Sequence, residues 1–262
     1  MEITETKKRM QYNDDIKKLM GIFQLSNEQI ELKGSSSLSA MNYYADYDFF
    51  TVIKGNYSVK EIYDFFTKIL RNILENSNTY FIEFKIQQND GKKFKWFPND
   101  KFNLNDFEKK FNKNTDYCKI DIIYFNNNRF IEATCNYIFY GKEQTEKESL
   151  EEINKNIIDL KKEKDYYKIL KRMYLIYRIK GDDNKLVLLT NIFNSELGRI
   201  YKNLNNIDAI DIIKKYYEND ALTKKRIEVN LADINFYSNY EKQYNNLKKE
   251  LNKKAKKIYD TL

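Results

Sequence analysis

The chain has 262 residues, enough for one large domain or two modest ones with a substantial core. It is 42% hydrophobic and 15% aromatic, which excludes a disordered chain, and its 7 Gly and 1 Pro point to long regular elements. It contains no His, which excludes imidazole acid–base chemistry and the common zinc sites.

The net charge of +7 is unevenly placed. Residues 1–145 carry 21 Lys and Arg against 20 Asp and Glu, whereas residues 146–262 carry 25 against 19. A basic C-terminal half favours a polyanionic partner, most simply nucleic acid; an ordinary basic surface is the alternative. Cys118 and Cys135 fit no metal-ligand spacing and read as reduced, partly buried thiols. No apolar run approaches the roughly 18 residues of a membrane span, and the N-terminus lacks an apolar signal core. A soluble, cytoplasmic protein without membrane contact is expected.

In chain order, residues 4–22 read as a helix, with Met10, Ile16, Leu19 and Met20 at loosely helical spacing. Ile30–Lys33 is a short strand that delivers the chain to Gly34. A short helix from Ser36 to about Tyr43 precedes a second strand, Asp46–Ile53. Ser58, with Glu61 three residues on, forms a capping box for a helix to about Glu75. Thr79–Gln87 alternates as a strand, and Asn89-Asp90-Gly91 is a turn. Residues 92–116 are basic and read as irregular. Tyr117–Phe125 and Arg129–Tyr140 form a hairpin about Asn126-Asn127-Asn128. Beyond residue 141 the texture turns helical, with helices expected at about 146–163, 165–180, 186–204, 207–219 and 222–258. The predicted fold is α+β over residues 1–145, a mixed sheet with flanking helices, followed by an all-helical domain over residues 146–262.

The chemistry centres on Gly34 to Asp48. Asp46 and Asp48, at i and i+2 of a strand, share one face, and two adjacent carboxylates repel unless a cation lies between them. Gly34-Ser35 before a short helix offers backbone N–H groups and a hydroxyl suited to a phosphate. Together they fit a metal–nucleotide complex; alone, such a pair more often sits on a solvated face. Asp121, amid Ile120, Ile122 and Ile123, is a third candidate acid, costly to bury without a cation or donor. Glu83, between Ile82 and Phe84, is its rival.

The stretch GSSSLSAMNYYADYDFF resembles the signature of the polymerase β-like nucleotidyltransferase superfamily, matching at Gly34, Ser35, Asp46 and Asp48. The placement of Asp121 resembles the third carboxylate of the poly(A) polymerase branch, with residues 92–96 as an insertion. The helical region, DYYKILKRMYLIY at 165–177, is similar to that following the catalytic domain in poly(A) polymerase-like proteins of large DNA viruses. The resemblance implies an enzyme that adds nucleotides, AMP from ATP, to the 3′ end of single-stranded RNA without a template. It implies two Mg²⁺ ions, replaceable by Mn²⁺, on Asp46, Asp48 and Asp121. It places the triphosphate near Gly34 and Ser35 and, through lysines off the apolar stripe, near Lys168 and Lys171; each lysine reads equally as part of a solvated face. No adenine-selecting motif is recognisable. Two other readings stand beside this one: an inactive RNA-binding scaffold that keeps the fold, and a nucleotidyltransferase acting on protein or a small molecule. The basic stretch Lys248–Lys257 reads as an RNA contact, a homodimer helix or a solvated terminal helix.

Overall fold

The computed structural model describes residues 14–25, 30–33, 46–76, 78–88, 91–97, 100–113, 117–126, 129–139, 145–195, 197–201, 203–204, 207, 213 and 240–262. The described residues fall into two compact units, the first comprising residues 14–139 with Ile213 and the second residues 145–207 and 240–262.

The first unit is a mixed sheet with flanking helices. Its elements are α1 (Asp14–Phe23), β1 (Ile30–Lys33), β2 (Asp46–Ile53), α2 (Val59–Glu75), β3 (Thr79–Gln87), β4 (Lys93–Trp96), α3 (Leu104–Lys110), β5 (Tyr117–Asn126) and β6 (Arg129–Phe139). The six strands lie in the order β1-β2-β6-β5-β3-β4. All neighbours are antiparallel except β2 and β6, which run parallel. The last strand therefore inserts beside β2, far from it in sequence.

Strand alternation divides the sheet into an apolar and a polar face. Tyr47, Phe49, Phe84, Ile86, Ile120, Cys135 and Tyr137 are buried on the apolar face. The helices cover it. Phe23 of α1 meets Phe49 edge-on at 5.8 Å, and Tyr137 donates to the Phe23 carbonyl at 3.2 Å. Phe66 of α2 lies 5.0 Å from Phe84 and 5.2 Å from Tyr137. The reciprocal capping box of Ser58 and Glu61 starts α2 where the sequence signals it.

Residues 92–116 differ from the irregular stretch expected. Lys93-Phe94-Lys95-Trp96 is an edge strand paired with β3, its two lysines exposed and Trp96 buried. Asn103 caps α3, whose Phe107 packs against Phe66 and Phe102. Two exposed lysines masked the alternation, and a seven-residue helix carries too few turns to show periodicity.

In the second unit every described element is a helix: α4 (Glu146–Glu163), α5 (Tyr166–Lys180), α6 (Asp183–Phe193) and α7 (Tyr240–Tyr259). Tyr167, Leu170 and Tyr174 of α5 pack with Leu189, Phe193, Leu197, Leu251 and Ala255. The helix expected over 186–204 is interrupted at Asn194 and Ser195, where the Ser195 hydroxyl donates to the Ile192 carbonyl at 2.5 Å. The expected helix at 36–43 lies outside the described residues, as do the start of the N-terminal helix, all of the helix at 207–219 except Ile207 and Ile213, and the part of the helix at 222–258 before residue 240.

Candidate active site

The polar face of the sheet gathers the acids. Register places Asp48 of β2 opposite Thr134 of β6, Thr134 opposite Asp121 of β5, and Asp121 opposite Glu83 of β3. These four residues form one row across four strands. Asp46 is paired in register with Glu132 of β6, two residues along from that row. A second row, displaced the other way, is basic: Lys119, Lys85 and Lys95 are successive partners on β5, β3 and β4.

The two rows are stitched together. Lys85 is ion-paired with Asp121, and its ammonium lies 2.9 Å from Glu83. Lys95 reaches Glu83 at 3.2 Å, and Lys119 reaches Asp121 at 3.1 Å. Thr134 donates a 2.6 Å hydrogen bond to Asp121. The side chains of Glu83 and Asp121 are only 6% and 14% exposed, so these partners offset the desolvation of two carboxylates. Burial alone pulls the Lys85 pKa down, but Asp121 and then Glu83 outweigh it and hold Lys85 above the usual lysine value.

Asp121 thus lies two strands from β2 with both carboxylate oxygens engaged. Glu83, a strand further, is held by two lysines. The strand next to β2 carries a different acid, Glu132, which the sequence analysis passed over. Its signal was present: an acid between Ile131 and Ala133 in an apolar strand. Its significance depends on β6 pairing with β2, which periodicity does not reveal.

Gly34 and Ser35 lie outside the described residues, and of Asp46 only the strand position is described. Among the described residues no three metal-ligating side chains converge. Lys168 is exposed at the start of α5 and pairs with Asp165 at 3.3 Å. Lys171 is part-buried. Its ammonium sits 4.8 Å from the centroid of Tyr201 and donates to that hydroxyl at 3.3 Å.

No protein-family model matches the chain, and no curated protein matches it in sequence. Solved structures do. A protein described as a new nucleotidyl transferase encoded by a Megaviridae ORFan gene superposes with a TM-score of 0.65 at 13% identity, covering 98% of this chain and 90% of that one. The chain shares that protein's fold. A second structure with the same description gives a TM-score of 0.61 at 13% identity, over 97% and 93% of the two chains. The M. chilensis Mg662 protein complexed with GTP gives 0.60 at 13% identity, over 99% and 94%. Each match covers nearly the whole length of this chain.

Proposed function

We propose that the protein transfers a nucleotidyl group from a nucleoside triphosphate to an acceptor hydroxyl. The observation that carries this reading is the Asp46-x-Asp48 strand lying in register beside Glu132, on a fold held in common with a protein described as a nucleotidyl transferase. The GTP complex of one neighbour supports a nucleoside triphosphate as donor.

Asp46, Asp48 and Glu132 are the residues assigned to hold two divalent cations. The donor set is all carboxylate oxygen, which suits Mg²⁺, with Mn²⁺ able to substitute. Glu132 ranks above Asp121 and Glu83 because it is one strand from β2 and they are two and three strands away. Lysines also already neutralise those two acids. When bound, the cations supply charge neutralisation at the triphosphate and a lowered pKa for the acceptor hydroxyl.

The chain's own residues bind and orient. Asp46, Asp48 and Glu132, on adjacent strands of a packed sheet, would fix where the cations sit that meet the negative charge of the triphosphate. The network of Lys85, Asp121 and Thr134 holds the row of side chains beside them. The new bond joins the acceptor oxygen to the α-phosphorus, and the bond to pyrophosphate breaks. A chain without histidine is suited to this reaction, in which positioning and charge stabilisation do most of the catalysis. Gly34 and Ser35 are assigned to the triphosphate. Lys168 and Lys171 are assigned to the nucleotide, Lys171 by leaving the Tyr201 ring. The acceptor is taken to be the 3′ end of single-stranded RNA and the donor ATP, as in poly(A) polymerases, with the helical half holding the RNA; the surplus of Lys and Arg over residues 146–262 supports this.

The test is incorporation of each labelled nucleotide into an RNA oligonucleotide by the purified chain with Mg²⁺ or Mn²⁺. We expect metal-dependent extension, abolished by Asp46→Ala or Asp48→Ala. Glu132→Gln should lower it by about 10²–10³-fold and Asp121→Asn by about tenfold or less. No extension with any nucleotide in either metal sinks the RNA-tailing reading and moves the acceptor to a protein or a small molecule. A larger loss from Asp121→Asn than from Glu132→Gln moves the third ligand back to Asp121.

A further inference from the structure

Two short segments beyond residue 145 each carry a surplus of positive charge. Between residues 146 and 262, Lys and Arg number 25 against 19 Asp and Glu. Residues 161–168 supply four lysines against two acids, and residues 248–260 six against two. The remainder balances at 15 against 15.

The fold brings the two segments together. The Tyr167 N–H, in the first turn of α5, donates to the side-chain oxygen of Asn252 on α7 at 3.2 Å. The rings of Tyr166 and Tyr259 lie 5.7 Å apart at 50°. The Lys256 ammonium sits 5.6 Å from the centroid of Tyr166, and that of Lys161 sits 5.5 Å from Tyr259. The end of α4, the start of α5 and the end of α7 therefore meet at two part-buried tyrosines, each under an ammonium group. Lys164, Lys253 and Lys257 are exposed on the same segments.

We infer that this corner binds single-stranded nucleic acid, with bases stacked on Tyr166 and Tyr259 and phosphates met by Lys161 and Lys256. The assignment rests on the reading of the acceptor as an RNA strand and gives that strand a place. An ammonium over a solvent-accessible ring is a weak contact, and a stacked base is a stronger one. An arriving base displaces the lysine, which swings to a neighbouring phosphate, so ring and cation are both used. The exposed pair of Lys256 with Asp260, at 2.6 Å, gives way readily because surface pairs contribute little. A duplex keeps its base faces stacked and uses only the lysines, so the tyrosines single out a strand.

The test is anisotropy of a labelled single-stranded RNA titrated with the full chain across a salt series, without nucleotide or metal. Tyr166→Ala and Tyr259→Ala should each weaken binding about 5–10-fold with the salt slope unchanged. Because both rings also pack on the helical core, surface variants provide a second arm. Lys161→Gln with Lys256→Gln should weaken binding and reduce the logarithmic salt slope by about 0.7 per lysine. Lys147→Gln, at the other end of α4, should change neither. Equal losses from Lys147→Gln and the paired variant, duplex bound as tightly as strand, or binding indifferent to all these changes overturns the assignment. A chain that binds strands here yet transfers nothing refutes the proposed activity and leaves this site standing. A chain that transfers nucleotides while ignoring these variants does the reverse.

Discussion

Replacing Lys85 with Met removes the cation that Glu83 and Asp121 share. The two acids are register partners on β3 and β5, 6% and 14% exposed at their side chains. Breaking a buried ion pair costs about 3–5 kcal/mol, because it leaves a charge uncompensated. The loss here is smaller, since Lys95 stays 3.2 Å from Glu83, Lys119 stays 3.1 Å from Asp121, and Thr134 keeps its hydrogen bond. Those lysines are 43% and 27% exposed, so they screen the acids without replacing Lys85. We expect a loss of about 2–3 kcal/mol, equivalent to a fall in Tm of about 5–10 °C for a unit of this size. Trp96, the single tryptophan, is 6% exposed and stacks on Phe84 at 5.5 Å, one residue from Glu83. Its fluorescence in a urea titration therefore reports this edge of the sheet. The triple variant Glu83→Gln, Lys85→Met, Asp121→Asn removes all three charges and should recover most of the loss. A Lys85→Met chain as stable as the parent, or a triple variant less stable than the single one, would refute the shared-cation account.

The same network sets an alkaline limit. Lys85 is held above the ordinary lysine pKa, so its contribution is complete below the unfolded value and is lost as pH rises through the folded one. Urea midpoints should fall more steeply through that window in the parent chain than in the triple variant, in which the buried Cys135, Tyr137 and Tyr167, all raised in pKa by burial, still make alkali destabilising. Burial pushes the Cys135 thiol well up, and both cysteines are inaccessible. A disulfide reagent should leave native Cys118 and Cys135 unmodified and react with both once urea unfolds the sheet; rapid labelling of the folded chain counts against the register of β5 and β6. Phe107→Ala should cost about 3–5 kcal/mol, read through Trp96, because Phe107 is fully buried against Tyr63, Phe66, Phe102 and Phe111. A negligible loss would mean that α3 is an appendage rather than part of the core.

Local signals carried much of the fold. The Ser58–Glu61 box, the alternation of Thr79–Gln87 and the antiparallel pairing of the consecutive strands β5 and β6 are short-range features, and each formed where its residues indicated. Asp165 and Gly181 bound α5 for the same reason, one capping its start and the other closing its end in the left-handed region at φ 68°. The candidate site was less legible because it is defined by which strands are neighbours. Asp121 attracted attention through its apolar flanks, yet lysines two residues away along β3 and β5 account for its tolerance of burial. Glu132 has similar flanks in Phe130-Ile131-Glu132-Ala133, and only the parallel pairing of β6 with β2 sets it opposite Asp46. No periodicity within either strand encodes that pairing. The break at Asn194 and Ser195 was hidden because apolar spacing continues across it.

The parallel pairing of β2 with β6 also governs when the acids meet. Asp46 and Asp48 leave the ribosome long before Glu132, and Val59–Glu75, β3, β4 and the short helix at 104–110 all emerge between them. The β3–β5 and β5–β6 pairings are antiparallel and closer in sequence, so they can close first. During synthesis the chain thus carries its paired aspartates without the partner strand until the sheet is nearly complete. On the proposed reading of Asp46, Asp48 and Glu132 as cation ligands, divalent-cation affinity would be acquired only with the final strand and would give a spectroscopically silent but titratable marker of the last step in assembling the sheet.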